Sequence, residues 1–356
     1  MITIIGAGPI GNYTAKLLAK QGHKVKVFED HKEVGKPIQC TGITTAFLQD
    51  LIKIKKEFMV NTITRTKVYS PNQEAVEIPL KKNFVVDRTL FDQSLAEEAK
   101  SEGVEYAVGH KYTHCVQKEK ITAHFTNGKK VESDYLIGAD GPLSAVAKSN
   151  DLYGKRTFII GHQARVKIDC EKDLVDFFLG EGYFGWLVPE TEKIARIGIC
   201  SLSTPKKYFD SLMKKRKGKI LEWQSGIIPL YNPKLQAEKD NIYLIGDAAT
   251  QVKATTLGGI IPGMLAAQSL GKAISEGKSY QKLWKKGIGK ELKTHLLIHS
   301  LMQKFKNKDY DRLIQLVKQE RVKNAITEHD REFPSKLLLK LLLREPRFLQ
   351  YTKFLF

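Results

Sequence analysis

The first apolar run, Ile2-Thr3-Ile4-Ile5, is short and stops at Gly6-Ala7-Gly8-Pro9-Ile10-Gly11. Its nearly continuous apolar character predicts a strand buried on both faces. Ala15, Leu18 and Ala19 then recur at helical spacing up to Gly22, and Val25-Lys26-Val27-Phe28-Glu29 reads as a second strand. A GxGxxG run acquires meaning in this order of strand, glycine turn, helix and strand. Gly6 permits the tight turn, Gly8 lets the backbone approach a pyrophosphate, and Gly11 lets the helix pack closely on the strand. The helix N-terminus offers unpaired N–H groups to phosphate oxygens. Glu29, eighteen residues beyond Gly11, ends the second strand where a carboxylate accepts from both hydroxyls of an adenosine ribose. A 2′-phosphate would be repelled there, so the expected ligand is FAD or NAD and not NADP.

Further along, residues 85–99 change from strand-like alternation to a 3.6-residue period, which predicts a helix from Arg88 to Gly103. A helix start does not call for a cation, so Arg88 points to an anionic ligand or to an ion pair with a nearby acid. Residues 121–132 read as a hairpin turned by Asn127-Gly128 as a two-residue loop. Tyr135–Gly141 and Asn241–Ala249 each read as a buried strand ending at an aspartate, Asp140 and Asp247. Residues 158–200 alternate as antiparallel strands do. From about residue 283 the pattern is helical and basic, with Leu313, Leu316 and Val317 on one stripe and Pro334 breaking it. Lys336, Lys340 and Arg344 recur every fourth residue among leucines, which suits core packing, a membrane surface or the clasping of an apolar substrate.

Composition narrows the class. The chain has 356 residues, 42% of them hydrophobic and 27% charged, which excludes a disordered or fibrous protein and allows roughly two or three domains. No apolar run is long enough to span a bilayer, and no secretory signal is expected. The four cysteines form no CxxC pair and no zinc-like spacing, so no metal centre is expected and a reducing cytoplasm suits them. With 58 basic against 39 acidic residues the net charge is +19, a field that attracts anionic partners or simply a solvated basic surface. Nucleic-acid motifs are absent, and no nucleic-acid partner is expected.

Taken together, the strand-end motifs resemble the FAD-dependent oxidoreductases of the para-hydroxybenzoate hydroxylase-like fold. Within it they are most similar to the geranylgeranyl reductases, including archaeal digeranylgeranylglycerophospholipid reductases. The motifs that carry the likeness are the Gly6–Gly11 run with Glu29, the stretch Pro37-Ile38-Gln39-Cys40-Thr41-Gly42, the helix start at Asp87-Arg88 with Asp92, Gly138–Gly141 with Ser144, and Gly246-Asp247 through Gly258, Gly259 and Gly263. PxxCxG at Pro37–Gly42 and a block from Phe184 to Gly198 similar to YxWxFP followed by a glycine point to the reductase branch. That block retains Trp186, Pro189 and Gly198, but has Phe184 for Tyr, Val188 for Phe and Cys200 where a second glycine is usual. Leu257 likewise replaces one glycine of a TGGG run.

The resemblance implies an α/β fold (α+β overall), with a Rossmann-like FAD-binding domain, an inserted antiparallel substrate sheet and a C-terminal helical region. The expected boundaries are 1–60, 85–157 and 236–282 for the FAD domain, 61–84 and 158–235 for the substrate domain, and 283–356 for the helical region. It implies FAD held by Gly6, Ala7, Gly8, Pro9, Ile10, Gly11, Glu29, Asp30, Cys40, Gly42, Arg88, Asp140, Gly246, Asp247, Gly258, Gly259 and Ile260, with Cys40 and Trp186 as catalytic residues. The implied reaction saturates carbon-carbon double bonds of a polyprenyl lipid or diphosphate. Electrons would come from NAD(P)H or a ferredoxin-like carrier, with peripheral contact at the cytoplasmic membrane face. The rival readings are an aromatic hydroxylase on the same fold and a non-catalytic FAD-binding redox sensor at a membrane.

Overall fold

In the computed structural model, which describes residues 1–180 and 182–354, the chain divides into two compact units. The first comprises residues 1–38, 88–157 and 229–293, and the second 39–87, 158–228 and 294–356. Residues 39–60 and 85–87, expected in the FAD domain, fall in the second unit, residues 229–235 fall in the first, and the expected helical region is divided, 283–293 with the first unit and 294–356 with the second; strand Ile43–Thr44 pairs with Ala75–Val86 through Ile43 and Val85. No helix among the described residues is long and apolar enough to cross a membrane.

The first unit is built on a six-stranded sheet whose order is Glu238–Lys239, Ile242–Leu244, Tyr135–Gly138, Ile2–Ile5, Val25–Phe28, Glu105–Ala107. All pairings are parallel except that of Glu238–Lys239. Its central strand Ile2–Ile5 is wholly buried, as a parallel strand covered on both faces must be. Helices Pro9–Lys20, Arg88–Ser101 and Ile260–Glu276 belong to this unit. A separate three-stranded sheet holds the hairpin of Ile121–Phe125 and Lys130–Ser133. The hairpin loop has three residues, not the two expected. Phe125 N–H donates to Lys129 O and only Gly128 takes positive φ, the pattern of a type I turn closed by a left-handed glycine.

The second unit carries an eight-stranded sheet running Lys219–Pro229, Phe158–Lys167, Ile194–Ser201, Phe184–Pro189, Leu174–Leu179, Met59–Tyr69, Ala75–Val86, Ile43–Thr44. From Phe158–Lys167 to Ile43–Thr44 the pairings are antiparallel apart from that of Leu174–Leu179 with Met59–Tyr69, which is parallel. Helix Pro205–Arg216 covers one face, packing Phe209 and Leu212 against Phe178, Leu187 and Ile197. Helix Asn307–Val317 packs Ile314 on Val76 and Ile78. Pro334 does not break a helix but begins one, Pro334–Arg344, as its ring allows at a first-turn position with no N–H partner. Two of that helix's cations are committed, since Lys340 and Arg344 both pair with Glu328.

The glycine turn is fixed by contact. A Cβ at Gly11 would lie 2.0 Å from Gly6 O, and one at Gly6, whose φ is +104°, would lie 2.4 Å from Ala139 O. Gly11→Ala should therefore lower unfolding stability by about 1–3 kcal/mol through overpacking, measured by denaturant melts, whereas Gly22→Ala, with open space around it, should strain only its positive φ.

Candidate active site

Parallel pairing aligns the carboxyl ends of the strands. Gly6 follows Ile2–Ile5, Glu29 follows Val25–Phe28, Ala139-Asp140 follows Tyr135–Gly138, and Gly246-Asp247 follows shortly after Ile242–Leu244. Because these four strands are neighbours, their motifs share one sheet edge, where open α/β sheets bind ligands.

Gly8 caps helix Pro9–Lys20 in extended conformation, with Pro9 in the first turn and nothing within 4 Å of where a Cβ would stand. That open cradle before a helix N-terminus fits a pyrophosphate. Ile10 packs behind it, and a Cβ at Gly263 would come within 2.7 Å of its Cδ1. Glu29 accepts from Ala7 N–H at 2.7 Å and from His31 N–H at 3.1 Å. Burial, helped by its hydrogen bond with Asp30, pushes its carboxyl up, and the donors at Ala7 and His31 oppose this. A carboxylate oxygen has two lone pairs, so Glu29 can hold the turn and still accept from a ribose. Asp30 is exposed beside it and contacts His31 at 2.9 Å.

Arg88 lies at the start of its helix and pairs with Asp92 at 3.0 Å. Its charge also reaches Asp247, whose carboxyl desolvation pushes up to about 6 against the pull of Arg88 and Arg156. The Asp247 carboxylate sits close under helix Ile260–Glu276, since a Cβ at Gly259 would come within 2.7 Å of its Oδ1. Asp140 is engaged locally, accepting from Ser144 Oγ at 2.6 Å and Val146 N–H at 3.1 Å. It thereby supports Ser144, which caps the short helix Ala145–Ser149 by accepting from Ala147 N–H at 2.9 Å. Leu257 has φ +55°, so the position does demand the left-handed conformation that a glycine would take freely. Leucine there stores strain on the order of 1 kcal/mol.

Sequence reasoning missed three anchors of this edge. Buried Asn12 donates to Ala7 O at 2.8 Å and Asp92 O at 2.9 Å, and its Oδ1 accepts from Tyr106 OH, which ties the glycine turn to helix Arg88–Ser101. Arg156 donates to Ala248 O at 2.8 Å and stacks on Tyr153. Gln251 accepts from Gly246 N–H at 2.8 Å. Their polar side chains lie inside helical or loop patterns that carry no periodic signal.

The Pro37–Gly42 stretch divides, with Pro37 and Ile38 in the first unit and Gln39–Gly42 in the second. Within the second unit Cys40 is half-buried and its Sγ accepts from Gly42 N–H at 3.3 Å. Thr41 Oγ1 donates to Gln163 Oε1 at 2.7 Å, and Trp186 Nε1 donates to the same oxygen at 2.9 Å. Gln163 in turn donates to Gln224. Arg196, a further anchor the sequence did not reveal, donates to Thr41 O at 2.5 Å and Val86 O at 3.0 Å while pairing with Glu190 at 2.8 Å. The loop, Gln163 and Trp186 thus form one network. Gly198 is required opposite Trp186, since its Cβ would fall 2.2 Å from the indole. Cys200 is fully buried with its thiol bonded to Phe184 O. Glu29, Asp30 and His31 cluster among the described residues, with His31 Nδ1 at 2.6 Å from Glu29 and 2.9 Å from Asp30.

The family described as FAD binding domain matches residues 1–208, more than half of the chain. The chain belongs to that family. Its cofactor is FAD. This FAD-binding protein is 26% identical over 364 residues to a digeranylgeranylglycerophospholipid reductase of Methanothrix thermoacetophila, covering 90% of the chain and 92% of the relative. A second such reductase, from Methanopyrus kandleri, is 25% identical and is matched over 99% of the chain and 98% of its own length. Among solved structures, a geranylgeranyl bacteriochlorophyll reductase-like protein from Thermoplasma acidophilum superposes with a TM-score of 0.86 at 22% identity, covering 100% and 98% of the two chains. A flavin-dependent brominase superposes with a TM-score of 0.73 at 17% identity, covering 97% and 99%. These likenesses show the shared fold.

Asp247 generates a prediction with a definite sign. Its folded-state value of about 6 lies above the ordinary 3.8, so the folded protein binds the extra proton between those values. Stability of the flavin-free protein should fall as pH rises through this window, and the Asp247→Asn protein should lack that slope in urea melts.

Proposed function

We propose that this FAD-binding protein is a reductase that saturates carbon-carbon double bonds of geranylgeranyl chains in isoprenoid or archaeal-type membrane lipids. The observation that carries the reading is the network joining the Cys40 loop to Trp186 through Thr41 and Gln163, taken with relatives of that activity matched along nearly the whole chain.

Reduced FAD, when bound, supplies the hydride for one alkene carbon. The remaining requirements fall on the protein. Gly8 and the N-terminus of helix Pro9–Lys20 hold the pyrophosphate, Glu29 the adenosine ribose, and Asp247 with Gly258, Gly259 and Ile260 the flavin end. Phe184 and Trp186, with ring centroids 5.7 Å apart, offer an apolar aromatic wall to a polyprenyl chain. The indole N–H is satisfied by Gln163, so the wall presents no unpaired donor to the hydrocarbon. Cys40 is the proton donor or positioning group for the second alkene carbon, held by the Gly42 N–H at its sulfur and by Arg196 at the next carbonyl. The +19 charge draws the anionic head of the substrate and suits either electron donor, an acidic ferredoxin-like carrier or NAD(P)H, since both are anionic.

Incubating dithionite-reduced protein with a geranylgeranyl glycerophospholipid should add hydrogens in pairs by mass spectrometry. Gain of an oxygen with NADPH and air, and no gain of hydrogen, would favour the hydroxylase instead. Cys40→Ala should keep the bound-FAD spectrum and melting temperature yet lose most of the saturation. Gln163→Leu, which orphans Trp186 Nε1 and Thr41 Oγ1, should lose about 1–3 kcal/mol of stability and raise KM more than it lowers kcat.

A further inference from the structure

The segment from Lys206 to Lys219 carries seven cations, Lys206, Lys207, Lys214, Lys215, Arg216, Lys217 and Lys219, against one acid, Asp210. It forms helix Pro205–Arg216 and the entry to strand Lys219–Pro229, the edge strand of the eight-stranded sheet. The helix turns Phe209 and Leu212 into the core, which leaves its lysines outside. The strand's first five residues, Lys219-Ile220-Leu221-Glu222-Trp223, are all exposed. Trp223 is 49% exposed and Leu221, two residues away on the same strand face, is 46% exposed. The inner side of the Trp223 ring is held by His162 at 4.8 Å and Phe209 at 5.1 Å, so the indole stands fixed at the surface. Leu202, 57% exposed, and Ile160, 37% exposed, extend the apolar ground, for Ile160 pairs with Ser201.

We infer that this face of the second unit docks on an anionic lipid bilayer, with Trp223 and Leu221 entering the headgroup layer and the lysines pairing with lipid phosphates. A basic helix beside exposed tryptophan and leucine is the composition of an interfacial contact, and tryptophan concentrates at that depth. A second copy of the chain is disfavoured as the occupant, because a two-fold contact would set this cationic patch against its own image. The tail helix is the weaker surface, since it offers three cations of which Lys340 and Arg344 are drawn to Glu328, against seven on the docking face, where Lys206 pairs with Asp210 and Arg216 with Asp176. Vesicle binding is read without turnover, so the inference stands or fails separately from the reductase reading.

The test uses the full FAD-loaded chain with vesicles of phosphatidylglycerol and phosphatidylcholine, and with phosphatidylcholine alone. The chain should sediment with the anionic vesicles, and release should follow as salt rises from about 0.05 to about 0.5 M. Lipids brominated in the acyl chains should quench tryptophan emission. That signal reports Trp223, because Trp186 and Trp284 are only 8% and 1% exposed. Lys214→Gln with Lys217→Gln and Lys219→Gln should weaken binding about tenfold or more, and Trp223→Ser with Leu221→Ser should abolish the quenching. Lys336→Gln with Lys340→Gln and Arg344→Gln should leave both unchanged. Unaltered FAD absorbance and melting temperature certify each variant's fold. The inference is overturned if the wild-type chain stays in the supernatant, if it sediments without quenching, or if only the tail variant loses binding.

Discussion

The closest backbone approach in the first unit governs what the unit can do. Helix Pro9–Lys20 packs so tightly on the preceding turn that no Cβ fits at Gly11 against Gly6 O, and no Cβ fits at Gly6 against Ala139 O. This double contact aims the helix N-terminus along the sheet edge and keeps Gly8 open toward it. Asn12 locks the arrangement from inside by bonding the carbonyls of Ala7 and Asp92. The positive end of the helix dipole, the Glu29 carboxylate and the Asp247 carboxylate therefore follow strands of one parallel run, with Tyr135–Gly138 between the strands of Asp247 and of the glycine turn, which is the distribution of charge a dinucleotide requires.

The second unit obeys a different constraint, the need to satisfy buried polar groups. Trp186 and Thr41 converge on one oxygen of Gln163, and Arg196 spends its guanidinium on Glu190 and on two carbonyls of neighbouring segments. A buried arginine with one partner missing would be costly, so this set holds together as a whole. Its result is a fixed cysteine loop and a fixed aromatic wall. Rigid support of this kind suits a substrate with almost no polar handles, because shape must do the orienting.

Electrostatics separates the two roles of acidic residues in this fold. Asp140 is consumed by Ser144 and the Val146 N–H, and so serves the backbone. Asp247 is balanced by Arg88 and Arg156 acting at a distance while burial raises its carboxyl. Two Gly-Asp or Ala-Asp strand ends that look alike in sequence therefore differ in chemical availability.

The GxGxxG turn, its helix, Glu29 and the buried parallel strands were legible in the sequence because they depend on local rules: backbone freedom at glycine, periodicity of apolar residues, and strand-end geometry. The same holds for the antiparallel run at 158–200. The hairpin at Asn127 was misjudged by one residue because loop length depends on register, which pairing with Tyr112–Gln117 and Lys130–Ser133 helps to set. Pro334 carried the same ambiguity, since proline ends one helix and opens another with equal ease. Only tertiary structure could assign Asn12, Arg156, Gln163 and Arg196, whose partners are brought in from other segments. It also showed that residues 39–60 side with the second sheet, because the pairing of Ile43 with Val85 spans a gap in sequence that no local pattern encodes.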